Sequence, residues 1–274
     1  MSFIHQKKIK QKFKRFLTII IVFYAMISTS LYFFQDKILF RPTVLEQDYQ
    51  FEFSHKFEEL FLKTEDNAVI NAVHFKVENP KGVILYFHGN KGDLQRWGDI
   101  TEYFVDKDYD VFVMDYRTYG KSIGVLNEDA LYKDSEFIYN YLKTQYSESD
   151  ITVYGRSLGT TFATYAASKH NPKQLILETP YYSMIDVAKN RFPLVPVKQL
   201  MNYEFPTFSF INRTNCNITI LHGTSDKVVP FSSGQKLFKV APDATTRFVS
   251  IEGANHNNLI DFEAYHREIQ AILQ

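Results

Sequence analysis

A single cysteine, Cys216, stands in 274 residues, so the chain cannot form an intramolecular disulfide. It adjoins the apolar run Ile218-Thr219-Ile220-Leu221 and reads as a small core residue rather than a nucleophile. Net charge is absent as well, because 31 basic and 31 acidic residues cancel. The cancellation hides an asymmetry: Lys7, Lys8, Lys10, Lys12, Lys14 and Arg15 occur within the first fifteen residues, which hold no acid. Setting those six aside leaves 25 basic against 31 acidic residues, a balance of −6. A mildly acidic body offers no footprint for nucleic acid, and that class is excluded. Among the eight histidines there is no His-Glu-x-x-His or other ligand spacing, so neither a metal nor another cofactor is called for.

What is present is globular: 45% hydrophobic and 23% charged residues, enough for one substantial core. Residues 1–15 form a basic amino terminus, and residues 16–34 carry no charge. As a helix these nineteen residues would be about 28 Å long, close to the hydrocarbon thickness of a bilayer. The run exceeds the apolar region of a signal peptide, for which Ser28-Thr29-Ser30 would supply small residues near a cut. It ends in an interfacial aromatic group, Tyr32, Phe33 and Phe34. Both features favour an uncleaved anchor. Six basic residues before the run, against Lys37 and Arg41 after it, place the amino terminus in the cytoplasm and the remaining chain on the extracytoplasmic side.

Residues 35–55 read as a linker, with Arg41-Pro42 ending any helix and no chemistry assigned. From residue 56 to 274 the pattern is that of one domain. Phe57 to Lys63 and Val69 to Val77 alternate apolar and polar around Glu65-Asp66-Asn67, predicting an antiparallel hairpin. Gly82 to Phe87 is nearly continuous in apolar residues, as a strand covered on both faces must be. Further strands are expected at Asp110 to Met114, Ile151 to Tyr154, Gln174 to Leu177, Asn217 to Leu221 and Thr246 to Ile251, with helices between them. That alternation implies an α/β fold, a mostly parallel sheet with helices on both faces, and a site at the carboxyl ends of the strands.

Functional candidates follow from what ends each strand. Gly155-Arg156-Ser157-Leu158-Gly159 joins a strand to a helix, the context a nucleophile elbow requires. His88-Gly89-Asn90 ends the third strand, and the backbone N–H groups of Asn90 and Leu158 are the expected oxyanion donors. His88 reads as a structural histidine that orders its loop. Asp115-Tyr116-Arg117-Thr118-Tyr119-Gly120 reads as a solvated turn in which Asp115 and Arg117 pair. Asp226 and His256 follow later strands, and serine, aspartate, histidine is the chain order of a hydrolase triad. Glu178 is the competing acid, disfavoured because Pro180 suggests a loop-anchoring role. Residues 179–213 break the alternation with apolar and aromatic residues, predicting a small cap that forms an acyl-chain pocket or dips into the bilayer beside the anchor.

With these residues the chain resembles a membrane-anchored α/β-hydrolase-domain protein of the serine aminopeptidase-like and lysophospholipase-like branch. The resemblance runs from about Phe33 to the end. It is carried by Tyr32 to Lys37, His88-Gly89-Asn90, Asp115-Tyr116-Arg117-x-Tyr119-Gly120, the elbow, Gly223 to Asp226 and Gly253 to His256. It departs at Thr118, where relatives usually have a second glycine, and this bears only on the shape of that loop. The resemblance implies hydrolysis of carboxylic esters or thioesters, including lipid and S-acyl substrates. The expected activity is a serine hydrolase using Ser157, His256 and Asp226. Two other readings stand beside it, a serine peptidase and a membrane-tethered binding or scaffold protein that keeps the fold without turnover.

Overall fold

Val83–Phe87, Asp110–Met114, Ile151–Arg156 and Gln174–Glu178 are buried at every position. A strand reads this way only when helices cover both of its faces. In the computed structural model, which describes residues 3–274 and side chains from residue 7 onward, these four form the centre of an eight-stranded sheet. The strands are β1 (Phe57–Lys63), β2 (Val69–Phe75), β3 (Val83–Phe87), β4 (Asp110–Met114), β5 (Ile151–Arg156), β6 (Gln174–Glu178), β7 (Asn217–Gly223) and β8 (Thr246–Ile251). Their spatial order is β8-β7-β6-β5-β3-β4-β2-β1. β1 and β2 form the expected antiparallel hairpin, β2 also runs antiparallel to β4, and every other neighbouring pair is parallel. The chain is thus an α/β fold with a mostly parallel sheet. The first two residues of the basic stretch lie outside the described residues.

Because side chains alternate along a strand, each strand feeds two cores. Leu85, Phe87, Val153, Leu175 and Ile220 meet α3 (Glu128–Lys143), α4 (Gly159–Lys169) and α8 (Phe231–Phe238) through Leu131, Ile138, Phe162 and Leu237. Ile84, Tyr86, Val111, Tyr154 and Ile176 meet α2 (Leu94–Val105) and α9 (Glu263–Ile272) through Trp97, Phe104, Tyr265 and Ile269. Capping fixes the helix starts: the Asp93 carboxylate accepts from the N–H groups of Gln95 and Arg96, and the Asn127 side chain accepts from Ala130 N–H.

The first helix, α1 (Phe3–Leu39), is longer than the nineteen-residue run and continues into the stretch read as a linker. Nothing in residues 35–39 breaks a helix, and Pro42 disfavours helical geometry at Arg41, so the stop falls just before that pair. The chain then lays Arg41–Pro42 parallel to Lys91–Gly92, beside the loop that follows β3. Within residues 179–213 three short helices, α5 (Met184–Arg191), α6 (Val197–Leu200) and α7 (Thr207–Ile211), stand beyond the carboxyl end of the sheet. Their return is pinned by the Glu128 carboxylate, which accepts from the N–H groups of Glu204 (2.6 Å) and Phe205 (3.0 Å).

The loop after β4 differs from expectation. It is not a solvated turn: Asp115 is fully buried and Arg117 is 2% exposed. Nor do the two pair with each other. Arg117 grips Asp134 with two hydrogen bonds, of 2.7 and 2.8 Å, and also bonds Asp66, while Asp115 faces His88 at 3.3 Å. A buried guanidinium needs carboxylates that no water can replace, and helix α3 supplies Asp134.

Candidate active site

Ser157 sits at the turn between β5 and α4 with φ of +52°, a left-handed conformation that costs a non-glycine residue energy and lifts the side chain clear of strand and helix. The glycines around it make the close approach possible. A Cβ on Gly159 would lie 2.0 Å from the Phe87 carbonyl oxygen, and one on Gly155 2.7 Å from the Cβ of Ala163. Helix α4 can therefore start directly against the ends of β3 and β5 only with hydrogen at both positions.

The Ser157 Oγ lies 2.8 Å from His256 Nε2, and His256 Nδ1 lies 2.7 Å from Asp226 Oδ2. Three elements far apart in sequence, the turn after β5 and the loops after β7 and β8, converge because they are the carboxyl ends of strands in one sheet. The second oxygen of Asp226 accepts from the N–H groups of Val228 (2.8 Å) and Val229 (2.9 Å), so the carboxylate is held at both ends. Burial pushes the Asp226 carboxyl up. Hydrogen bonds and charge from His222 and His256 outweigh burial and hold it well below the usual carboxylate range.

His222 is a residue the sequence reading missed. It is fully buried on β7, with Nε2 3.1 Å from the Val229 carbonyl and 3.3 Å from Asp226 Oδ2. It faces the same carboxylate oxygen that His256 bonds, and the His-Gly-x-x-Asp run was its only sequence signal. Glu178, the competing acid, is engaged elsewhere: it accepts from Tyr154 Oη at 2.6 Å and pairs with Arg156 Nε at 3.2 Å. His88 is fully buried, stacks on Trp97 with ring centroids 5.3 Å apart, and faces Asp115. Burial raises the Asp115 carboxyl, against the hydrogen bond and charge of His88.

Asn90 and Leu158 border the same cavity as Ser157. Among the described residues, no protein acceptor takes the backbone N–H of either. The Asn90 carbonyl accepts from Arg41 N–H and Tyr119 Oη, both at 2.9 Å, and its side chain donates to the Leu39 carbonyl at 3.1 Å. The end of α1 thus positions the loop after β3, in a stretch to which the sequence assigned no chemistry.

The cavity measures about 620 Å³. One wall is the end of α1, with Leu31, Gln35, Ile38 and Leu39, and another is the cap, with Met184, Val187, Phe192 and Leu200. Gln35, 6% exposed, ties the two together: it donates to the Leu200 carbonyl at 3.2 Å and accepts from Asn202 N–H at 2.7 Å. Higher on the helix, Tyr24 Oη donates to the Leu194 carbonyl at 3.1 Å. Residues 24, 31, 35 and 38 recur at intervals of seven, four and three and share one helix face, a signal that the all-round apolar run ending at residue 34 obscures.

Comparison with known proteins agrees with this architecture. The serine aminopeptidase, S33 family (Hydrolase_4) matches residues 78–218, which is 141 of the 274. An uncharacterized protein, R595, of Acanthamoeba polyphaga mimivirus is 29% identical over 84% of this chain and 88% of its own length. The alpha/beta hydrolase domain-containing protein 17C of Xenopus tropicalis is 31% identical over 70% of this chain, which spans only 60% of that protein. Among solved structures, the Pyrococcus furiosus esterase PF2001 superposes with a TM-score of 0.69 at 18% identity, covering 86% of this chain and 96% of its own. An acetyl xylan esterase from Paenibacillus sp. R4 gives 0.67 at 15%, covering 92% of each. At these identities the two structures speak for the fold. The chain is an α/β-hydrolase and belongs to the serine aminopeptidase, S33 family.

Proposed function

We propose that the protein is a membrane-anchored serine hydrolase that cleaves carboxylic esters or thioesters of lipid or other acyl substrates through a covalent acyl-enzyme. The observation that carries this reading is the unbroken chain from Ser157 Oγ through His256 to Asp226, at 2.8 and 2.7 Å, opening into a cavity with apolar walls from α1 and the cap. His256 Nε2 takes the proton as Ser157 Oγ attacks the acyl carbon. Asp226, ionised and accepting at Nδ1–H, holds the tautomer that leaves Nε2 free as a base and stabilises the imidazolium. The negative charge on the acyl oxygen meets the N–H groups of Leu158 and Asn90. His256 then returns the proton to the leaving oxygen or sulfur, and a water activated in the same way releases the acid and restores Ser157. No step requires a metal or another cofactor.

Helix α1 serves as the anchor in this reading, with residues 1–15 cytoplasmic and the domain extracytoplasmic. From Lys7 to Leu39 its mean hydropathy reaches 2.0 and none of the apolar window is buried against the domain. The apolar side chains of these walls, Leu31, Ile38 and Leu39 from α1 and Met184, Val187 and Phe192 from the cap, favour an acyl chain over a peptide. A fluorophosphonate probe should label the wild type and not Ser157→Ala. A panel of p-nitrophenyl esters, acyl thioesters and aminoacyl amides should show turnover of the first two classes. Labelling that persists in Ser157→Ala refutes the assignment, and turnover confined to amides replaces it with peptidase activity.

A further inference from the structure

Beyond residue 15 the chain is acidic overall, yet the cavity around Ser157 is bordered by six cations and by no aspartate or glutamate. They are Arg41, Lys91, Arg96, Arg156, Arg191 and Lys227. Only Arg156 has a carboxylate partner, Glu178. The other five are exposed, and among the described residues none has a carboxylate within 4 Å. Unpaired cations gathered on one concave surface repel one another, and an acidic body has carboxylates to spare for them. Their concentration here creates a positive field at the mouth of the site.

Five of these cations also lie on a particular side, while Arg191 stands on the cap at the end of α5. The guanidinium groups of Arg96 and Arg156 lie 5.4 and 5.6 Å from the Trp97 ring centroid, and Arg156 reaches the carbonyl of Asn257, the residue after His256. Lys227 directly follows Asp226. Arg41 is paired with Lys91 in the short bridge, one residue before Gly92, where a Cβ would touch the Arg96 side chain. The apolar walls, from α1 and the cap, are distinct from this edge. His256 delivers its proton to the leaving group, so the cationic edge is where a leaving group departs and the apolar walls are where an acyl chain rests.

We infer that the substrate is an anionic amphiphile, an acyl ester or thioester whose leaving group carries phosphate. This rests on the proposed hydrolase activity and narrows it. Guanidinium groups suit phosphate because they match its oxygens in pairs, and Lys91 and Lys227 add point charges. The phosphate belongs either to a glycerophosphate headgroup or to a nucleotide-type thiol carrier, and both share the chemistry that Arg96 and Lys227 would read.

The test uses the full chain in neutral phosphatidylcholine nanodiscs with two chain-matched pairs. One is 1-palmitoylglycerol 3-phosphate against 1-palmitoylglycerol, and the other is palmitoyl-coenzyme A against the palmitoyl thioester of N-acetylcysteamine. In at least one pair kcat/KM should be about tenfold or more higher for the phosphorylated member, and this ratio should fall as NaCl rises from 50 to 500 mM. In Arg96→Gln/Lys227→Gln the ratio should drop toward one, with the neutral member of each pair serving as internal reference for folding. Equilibrium binding of the same pairs to Ser157→Ala gives the second measurement. Preferential binding of a phosphorylated member without wild-type turnover supports this inference while refuting the hydrolase reading. Equal binding and equal kcat/KM within both pairs overturn it, as does a ratio unmoved by the double substitution.

Discussion

Gly159→Ala tests whether the contact between α4 and the end of β3 sets the catalytic geometry. The added Cβ would stand 2.0 Å from the Phe87 carbonyl oxygen, 2.4 Å from its carbon and 2.7 Å from the His88 oxygen. A relaxed carbon–oxygen contact needs roughly 3.3 Å, so helix and strand end must part by about 1 Å. All three atoms are backbone, and no rotamer change relieves them. The forced overpacking should cost about 1–3 kcal/mol, seen as a fall in Tm of about 2–4 °C per kcal/mol. The displaced atoms belong to the strand end and loop that carry Asn90, while Ser157 moves with the helix. A misplacement of that size should lower kcat about 100-fold with little change in KM. Gly253→Ala is the control: φ there is +77°, but its Cβ meets only Phe262 at 3.8 Å. It should cost about 1 kcal/mol from backbone strain and spare the spacing between helix and strand. Ester kinetics and thermal unfolding of the three proteins decide. Wild-type kcat and Tm in Gly159→Ala would refute the reasoning, as would an equal kcat loss in Gly253→Ala.

Asp226→Asn should keep the fold and reduce kcat by about 10³–10⁴-fold, because an amide at this position stabilises the wrong imidazole tautomer. The same substitution has a pH signature in stability: Asp226 is depressed in the folded protein, so its contribution is full above the unfolded value of about 4 and is lost as pH falls below it. Denaturant titrations should therefore find the gap between wild type and Asp226→Asn narrowing from pH 5 to pH 2, and a constant gap would contradict the depressed value. Thr118 is β-branched and held at φ of +74°, a conformation that glycine adopts without strain. Thr118→Gly should raise stability by about 1 kcal/mol in thermal unfolding, and a loss of that size would mean that side-chain contacts outweigh the strain.

The sheet is legible in the sequence because parallel strands buried on both faces have apolar centres, as in Val83–Phe87 and Leu175–Leu177. Ser157, Asp226 and His256 are legible as candidates because chain order and the glycines beside them place each after a strand, and in parallel sheets those ends gather at one edge. Contacts between distant segments are not legible. Nothing local tells that Asp115 turns toward His88 while Arg117 reaches Asp134, since each would serve equally well at the surface. Gln35 and Tyr24 stand in a stretch whose composition answers a different constraint, and their partners in the cap lie about 170 residues away.

Under the proposed anchoring, the continuity of α1 with the site turns a tether into a component. Hydrogen bonds from Gln35 to the cap and from Asn90 to the last turn of the helix leave no slack between span and catalytic edge. Under the proposed anchoring, Ser157 stands at a constant height above the bilayer and the mouth keeps one bearing toward it. The enzyme then works as a fixed stop past which lipids diffuse in two dimensions. Its reach is set by how far a reactive acyl bond can rise from the leaflet, and shortening or lengthening the helix would retune substrate choice without altering a single residue around the serine.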